Sequence, residues 1–243
     1  MEGLSLGRAV LAEFVGTFAL VLSISLTLAG GATDPLAVPI AVGLTVTVFI
    51  YAVGPICGAH FNPAVSIAFW AAGRFKATWV GPYFVGQFAG ATLASLAAGL
   101  IAIDAYSVPG GFKSEFAVTE ALMPLLGVAR PSTGVAGAIA CEVVLTFFLV
   151  LVILRVSTGA KEVGTMAGIA VGGTVTLTAI VGGPISGAAL NPARAFGPAV
   201  AVGHFADFWV YVVGPIAGAL SAVAVDRMMG PYPSLAAPAM DPE

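Results

Sequence analysis

Apolar positions run through this chain in long, nearly uncharged blocks rather than in the alternation of a water-facing protein. The stretches 9–30, 36–53, 78–103, 134–154, 163–181 and 208–225 are each long enough to cross roughly 30 Å of hydrocarbon. Six spanning helices are predicted. Two shorter apolar segments, 63–73 and 192–202, follow the second and fifth spans, and eleven helical residues reach only about 16 Å. Each opens on an Asn-Pro-Ala triplet, Asn62-Pro63-Ala64 and Asn191-Pro192-Ala193. Asn is among the best helix N-caps, and Pro at the first helical position lacks only an amide hydrogen that would have no partner there. Each triplet therefore starts a half-helix. The Gly-rich loops ahead of them, 54–58 and 182–187, are expected to supply extended backbone, whose carbonyls must be buried in protein or line a water-filled cavity.

The two triplets lie 129 residues apart, and so do Glu13 and Glu142, in Ala-Glu-Phe-Val-Gly-Thr-Phe and Cys-Glu-Val-Val-Leu-Thr-Phe, and Gly58 and Gly187. A further echo pairs Tyr83-Phe-Val-Gly-Gln-Phe-Ala-Gly-Ala with Tyr211-Val-Val-Gly-Pro-Ile-Ala-Gly-Ala at an offset of 128. The chain is a duplication. Three spans per half is an odd number, so the second copy enters the bilayer from the opposite side, about a pseudo-twofold axis in the membrane plane. A single domain over 1–243 is expected, with a first repeat at 1–103, an extracellular linker at 104–133, a second repeat at 134–230 and a short cytoplasmic tail at 231–243. The linker holds Pro109-Gly110-Gly111, Pro124 and Pro131 and reads as an exposed loop. Gly16, Gly43, Gly86, Gly90, Gly168, Gly172, Gly214 and Gly218 fall within spans, where small residues let helix backbones approach closely.

Composition strengthens the membrane reading, since 59% of residues are apolar and 9% charged, with a mean hydropathy of +1.03, too little polarity to cover a water-facing surface. Six basic residues, Arg8, Arg74, Lys76, Arg155, Lys161 and Arg227, gather at one set of span ends, against Lys113 and Arg130 in the loops opposite. The positive-inside rule then makes both termini cytoplasmic. Nothing in the first span resembles a cleavable signal. The net charge of −3 and the absence of like-charge runs give no hint of nucleic acid. Cys57 and Cys141 read as small buried side chains, not as a disulfide framework or a metal site. No cofactor is implied.

Inversion brings the two half-helices in from opposite faces, with their N-termini meeting near the midplane. Each positive dipole end carries roughly half an elementary charge, which repels cations and hydronium and leaves neutral molecules unaffected. The side-chain amides of Asn62 and Asn191 project donors into the same place. That describes a channel for neutral solutes.

These residues resemble the aquaporins, or major intrinsic proteins, over essentially the whole chain. Two triplets in re-entrant context, one within Gly-Ala-His-Phe-Asn-Pro-Ala-Val and the other within Ser-Gly-Ala-Ala-Leu-Asn-Pro-Ala-Arg-Ala-Phe-Gly-Pro, carry the likeness. It implies an all-α membrane protein of six transmembrane helices and two re-entrant half-helices. It also implies a homotetramer in membrane lipid, each subunit with its own pore; compact tails suit a prokaryotic plasma membrane. Arg194, the one basic residue placed within the membrane, then sits in the narrowest constriction on the extracellular side. The alternative reading pairs it with Glu13 or Glu142 to hold helices together. The resemblance makes Glu13 and Glu142 scaffold carboxylates that accept hydrogen bonds from the re-entrant backbone, with proton relay as the alternative. It puts His60 at the cytoplasmic pore mouth. His204 reads as an ordinary interfacial residue.

The same likeness assigns the outer filter to Val42, Ala179, Ala188 and Arg194. Filters restricted to water resemble a narrow ring with an aromatic on the second helix and a His on the fifth, and neither is present here. Val42 and Ala179 should widen the ring and admit small uncharged molecules such as glycerol, urea or metalloid acids. Against that, glycerol facilitators typically carry Asp after the pore Arg, where this chain has Ala195, and the Phe208-Trp209 pair is typical of water channels. The expectation is a passive water channel that excludes protons and ions, with small neutral solutes as possible further cargo. Ala188 stands where mercury-sensitive members carry Cys, so that route of inhibition is expected to be absent. An ion-coupled transporter shares inverted repeats but needs titratable groups at the midplane, and the spans hold almost none. An intramembrane enzyme lacks a convergent set of Ser, His, Asp or Cys.

Overall fold

The computed structural model describes residues 5–105, 115–157 and 165–230. Helices α1 (Leu6–Ala29), α2 (Ala37–Cys57), α3 (Pro63–Ala71) and α4 (Ala77–Ala105) form the first half. After α5 (Glu115–Leu126), the second half repeats the pattern as α6 (Val135–Val156), α7 (Ala167–Ser186), α8 (Pro192–Val202) and α9 (Val210–Met229). Among the described residues there is no strand, and six helices, α1, α2, α4, α6, α7 and α9, are long and apolar enough to cross a membrane. Their outward faces carry exposed Leu11, Leu44, Val85, Leu100 and Leu177, a surface that requires lipid rather than water. Lys113, Lys161, Pro109-Gly110-Gly111 and the tail 231–243 lie outside the described residues.

Packing repeats with the duplication. α1 lies on α4 as α6 lies on α9, α1 and α6 contact α2 and α7, and α2 crosses α7. Each half-helix packs on the long helix of the other half, α3 on α9 and α8 on α4. Small residues set these distances. A Cβ on Gly43 would fall 2.7 Å from the Gly172 carbonyl oxygen, and one on Gly172 2.5 Å from that of Gly43, so neither position tolerates a side chain. The half-helices of nine and eleven residues run about 14 and 16 Å and together match the thickness that one full span crosses.

Two details depart from the sequence reading. Helices α2 and α7 continue through Pro55 and Pro184 to Cys57 and Ser186, each capped by a glycine in the left-handed region, Gly58 (φ 84) and Gly187 (φ 85). The segments 54–58 and 182–187 are therefore mostly helix, because a chain shielded from water keeps its intrahelical hydrogen bonds until a glycine can terminate them; the non-helical backbone is confined to 58–62 and 187–191. Secondly, the linker carries helix α5, with Leu122, Met123 and Leu126 buried. Leu122 and Leu126 pack with Leu22 and Leu26 of α1 and Ala98 of α4, so this part of the linker is not an exposed loop.

One buried carboxylate ties together the ends that carry the basic residues. Asp226 on α9 pairs with Arg74 (2.8 Å) just beyond α3 and with Arg155 (3.4 Å) at the end of α6. Arg74 also donates to the Leu154 carbonyl (3.1 Å) and Arg155 to that of Gly230 (2.6 Å). The arrangement holds the C-terminal end of the first half-helix against the second half.

Candidate pore and its scaffold

Each half-helix is preceded by backbone that an L-residue rarely adopts. Ala59 (φ 52), Phe61 (φ 49), Ala188 (φ 42) and Leu190 (φ 50) are left-handed, a conformation that costs roughly 1–2 kcal/mol per residue and persists only where neighbours over-determine it. The carboxylates supply that. Glu13 accepts from the amides of His60 (2.8 Å) and Phe61 (2.6 Å), and Glu142 from those of Ala189 (3.0 Å) and Leu190 (2.7 Å). At the loop corners Cys57 Sγ accepts from Ala59 N and Ser186 Oγ from Ala188 N, both at 3.2 Å. Tyr83 and Tyr211 close the frame by donating to the carbonyls of Cys57 (2.7 Å) and Ser186 (2.6 Å). The same set of bonds is thus built twice, once per half.

At the junction of the half-helices the two Asn side chains each do two jobs. Asn62 Oδ1 caps α3 by accepting from Ala64 N (2.8 Å), and its Nδ2 donates across to the Leu190 carbonyl (2.8 Å). Asn191 Oδ1 accepts from Ala193 N (2.9 Å) and Arg194 N (3.2 Å), while its Nδ2 donates to the Phe61 carbonyl (2.8 Å). A carboxamide nitrogen carries two hydrogens, so one on each Asn is committed to the opposite loop and one remains. Both side chains line a cavity of ≈ 610 Å³, and both helix N-termini point at the same junction.

That cavity brings together most of the residues singled out from the sequence. Val42, Ala179, Ala188 and Arg194 all line it, as do His60, Phe61, Leu190 and the two Asn; its remaining wall is mainly aliphatic, including Leu20, Ile24, Val46, Leu149 and Val175. Pro63, Ala64, Pro192 and Ala193 are buried in the first turns of α3 and α8, behind the Asn caps. Glu13 and Glu142 are completely buried and sit behind the loops rather than in the cavity wall.

Arg194, 7% exposed, donates Nη1 to the Gly127 carbonyl at 2.7 Å. Among the described residues it makes no ion pair with Glu13 or Glu142. Gly127 (φ 72) follows α5, where Gly127 N bonds to Pro124 O (3.2 Å), Val128 N to Met123 O (3.1 Å) and Ser25 Oγ to Leu126 O (2.9 Å). The linker helix therefore fixes the guanidinium. Sequence reading missed this partner; the only local signal was a glycine ending an apolar run.

His60 stacks on Phe69 (ring centroids 4.7 Å apart) and meets the edges of Phe75 and Tyr83. Its Nδ1 lies 3.0 Å from Ser66 Oγ, and Gln87 Nε2 bridges Ser66 Oγ (3.1 Å) and Glu13 (2.7 Å). The equivalent positions of the second half, Ala189, Ala195 and Pro215, have no polar side chain. The bonds to the loop amides repeat in both halves, but the polar side chains behind His60 have no counterpart behind Ala189. Ser66 and Gln87 were not singled out from the sequence, although Gln87 lies inside the repeated Tyr83 segment, opposite Pro215.

Comparison with known proteins agrees with this geometry. Residues 1–225 match the family model described as major intrinsic protein. The chain is similar to Aquaporin NIP1-1 of Zea mays, 39% identical over 220 residues, covering 88% of this chain and 72% of the relative. It is similar also to Aquaporin NIP1-4 of Oryza sativa subsp. japonica, 40% identical over 230 residues, covering 92% and 78%. Among solved structures, the aquaglyceroporin from Plasmodium falciparum superposes with a TM-score of 0.73 at 25% identity, covering 90% of this chain and 95% of that one. With two inverted halves, paired Asn-Pro-Ala half-helices meeting tip to tip, and a family match along nearly its whole length, the chain belongs to the major intrinsic protein family.

Proposed function

We propose that this protein is a passive transmembrane channel for water that excludes ions and protons. One observation carries the reading: a single cavity is lined by Arg194 and, further in, by two half-helix caps whose free amide hydrogens meet at the junction. Facing N-terminal dipoles disfavour any cation there. A permeating oxygen accepts from Asn62 and Asn191 together, which turns its own hydrogens away from the junction and breaks a proton-conducting water wire. Flux of this kind makes and breaks no covalent bond, so the role is transport rather than catalysis.

In this reading Val42, Ala179, Ala188 and Arg194 form the outer filter, and His60 lines the inner mouth. Glu13 and Glu142 act as scaffold. Passage of small neutral solutes beside water is favoured by the small side chains at three of the four filter positions, which leave the guanidinium as the principal polar group of the ring. The excess of basic residues at Arg8, Arg74, Lys76, Arg155, Lys161 and Arg227 supports cytoplasmic termini and a plasma membrane location. A homotetramer is what the family implies.

Stopped-flow light scattering on proteoliposomes tests the proposal. Fast, non-saturating water flux with a low activation energy, and no dissipation of an imposed proton gradient, is the expected outcome. Saturable flux, or flux driven by the proton gradient, would overturn it in favour of a coupled transporter.

A further inference from the structure

A second cavity, of ≈ 240 Å³, lies on the other side of the half-helices. Its lining is apolar throughout and, Phe208 apart, is made of residues that the duplication relates to one another: Pro63 with Pro192, Ile67 with Phe196, Phe84 with Val212, and one further pair a turn along α4 and α9. Residues two apart on a helix project about 200° apart, so Ile67 faces away from Val65, which lines the large cavity. The pocket therefore sits by the pseudo-twofold axis, at the depth where the half-helices meet, and shares no lining residue with the large cavity.

The chain itself indicates what lies outside this pocket. Trp70 continues the Ile67 stripe of α3, one turn beyond it, and Trp209 precedes Val212 by one turn on the stripe of α9. Each is 49% exposed. α3 runs from the junction toward one membrane face, and α9 begins where α8 reaches the other, so the two indoles bracket the pocket at opposite ends. Exposed Trp at both ends of a spanning surface marks the aromatic belts at the two lipid–water interfaces, and exposed Val85 and Val213 continue the apolar surface between them. This face meets lipid.

We propose that the pocket is a binding site for the terminal segment of a lipid acyl chain, seated against the Pro63 and Pro192 rings. Chain ends reach the midplane, where the pocket lies, and its volume is on the order of eight water-sized groups, matching a few methylenes. The occupant closes a crevice that the protein leaves unfilled directly behind the junction of its half-helices. The inference depends on the placement in the membrane and not on which solute the channel carries.

Crystals of the full chain grown in a lipid mesophase doped with phosphatidylcholine brominated at the chain termini test this directly. An anomalous bromine peak in contact with Pro63 and Pro192 is expected. In Val212→Phe, which fills the pocket, the peak should be lost while stopped-flow water permeability is unchanged. Bromine peaks confined to other surfaces, or a side chain from a second copy seated in the pocket, would overturn the proposal. If Val212→Phe does not fold, the wild-type map alone decides between these outcomes.

Discussion

Arg194 takes its position from Gly127, a residue 67 positions away whose carbonyl accepts from Nη1 at 2.7 Å. The guanidinium in the cavity wall is thus held by the segment that ends the linker helix as well as by the half-helix that carries it.

Gly127→Ala is expected to loosen that contact. The position is left-handed, and an added Cβ would lie 3.0 Å from Leu28 Cδ1 and 3.1 Å from Ile24 Cγ2, so either those side chains give by a few tenths of an ångström or the backbone that carries the carbonyl shifts. A destabilisation of roughly 1–2 kcal/mol and a several-fold change in the ratio of glycerol to water permeability are expected. Thermal unfolding in detergent and stopped-flow scattering check the two effects; an unchanged ratio would detach Gly127 from the filter.

Glu13 and Glu142 each accept from two consecutive loop amides. Glu142→Gln keeps the shape but sets a carboxamide NH₂ against donors. Buried groups left without partners cost about 1–3 kcal/mol each, and melting of the solubilised protein should report a loss of that order. Glu13→Gln should behave alike, since Gln87 adds a third donor there. A variant as stable as the wild type would show that the loops hold their left-handed residues by other means.

Asp226 should prove more sensitive than any exposed acidic residue. It lies between Arg74 and Arg155 with its side chain 4% exposed, and removing one partner of a buried ion pair costs about 3 kcal/mol. Asp226→Ala is expected to lower the melting temperature well beyond Asp226→Asn, which keeps hydrogen-bonding capacity. Equal melting of the two variants would mean that the lost charge accounts for the whole effect and that hydrogen-bonding capacity adds nothing.

The double variant Val42→Phe with Ala179→His tests the proposed filter by adding bulk and a polar partner to the cavity wall that these residues share with Arg194. Glycerol flux is expected to fall at least tenfold while water flux persists within a few-fold. If wild-type glycerol flux is already negligible, the small side chains do not set the width of the ring.

Much of this architecture was legible because its signals are local. Asn before Pro at a helix start is a property of adjacent residues, and the 129-residue offset between Glu13 and Glu142 or Asn62 and Asn191 is visible without any contact. What escaped depends on distance along the chain. Gly127 meets Arg194, and Asp226 meets Arg74 across 152 residues; no pattern around either acceptor announces its partner. Helix ends were misread for another reason: Pro55 and Pro184 break helices in water, where a freed carbonyl finds a solvent partner, but here α2 and α7 run on to the next glycine.

The two halves share a frame but differ in what they show the cavity: His60 on one side and Ala189 on the other, with Ser66 and Gln87 behind the first where the second has Ala195 and Pro215. With His60 and Arg194 at opposite mouths, as proposed, a molecule entering by one mouth would meet an imidazole first and a guanidinium last, and by the other mouth the reverse. Such polarity gives the pore no rectifying power, because at equal concentrations detailed balance makes every forward passage as frequent as its return. Its effect is on which molecules are turned back, and at which door: two unlike sieves in series reject two unlike sets of impostors, something a perfectly symmetric duplication would have forgone.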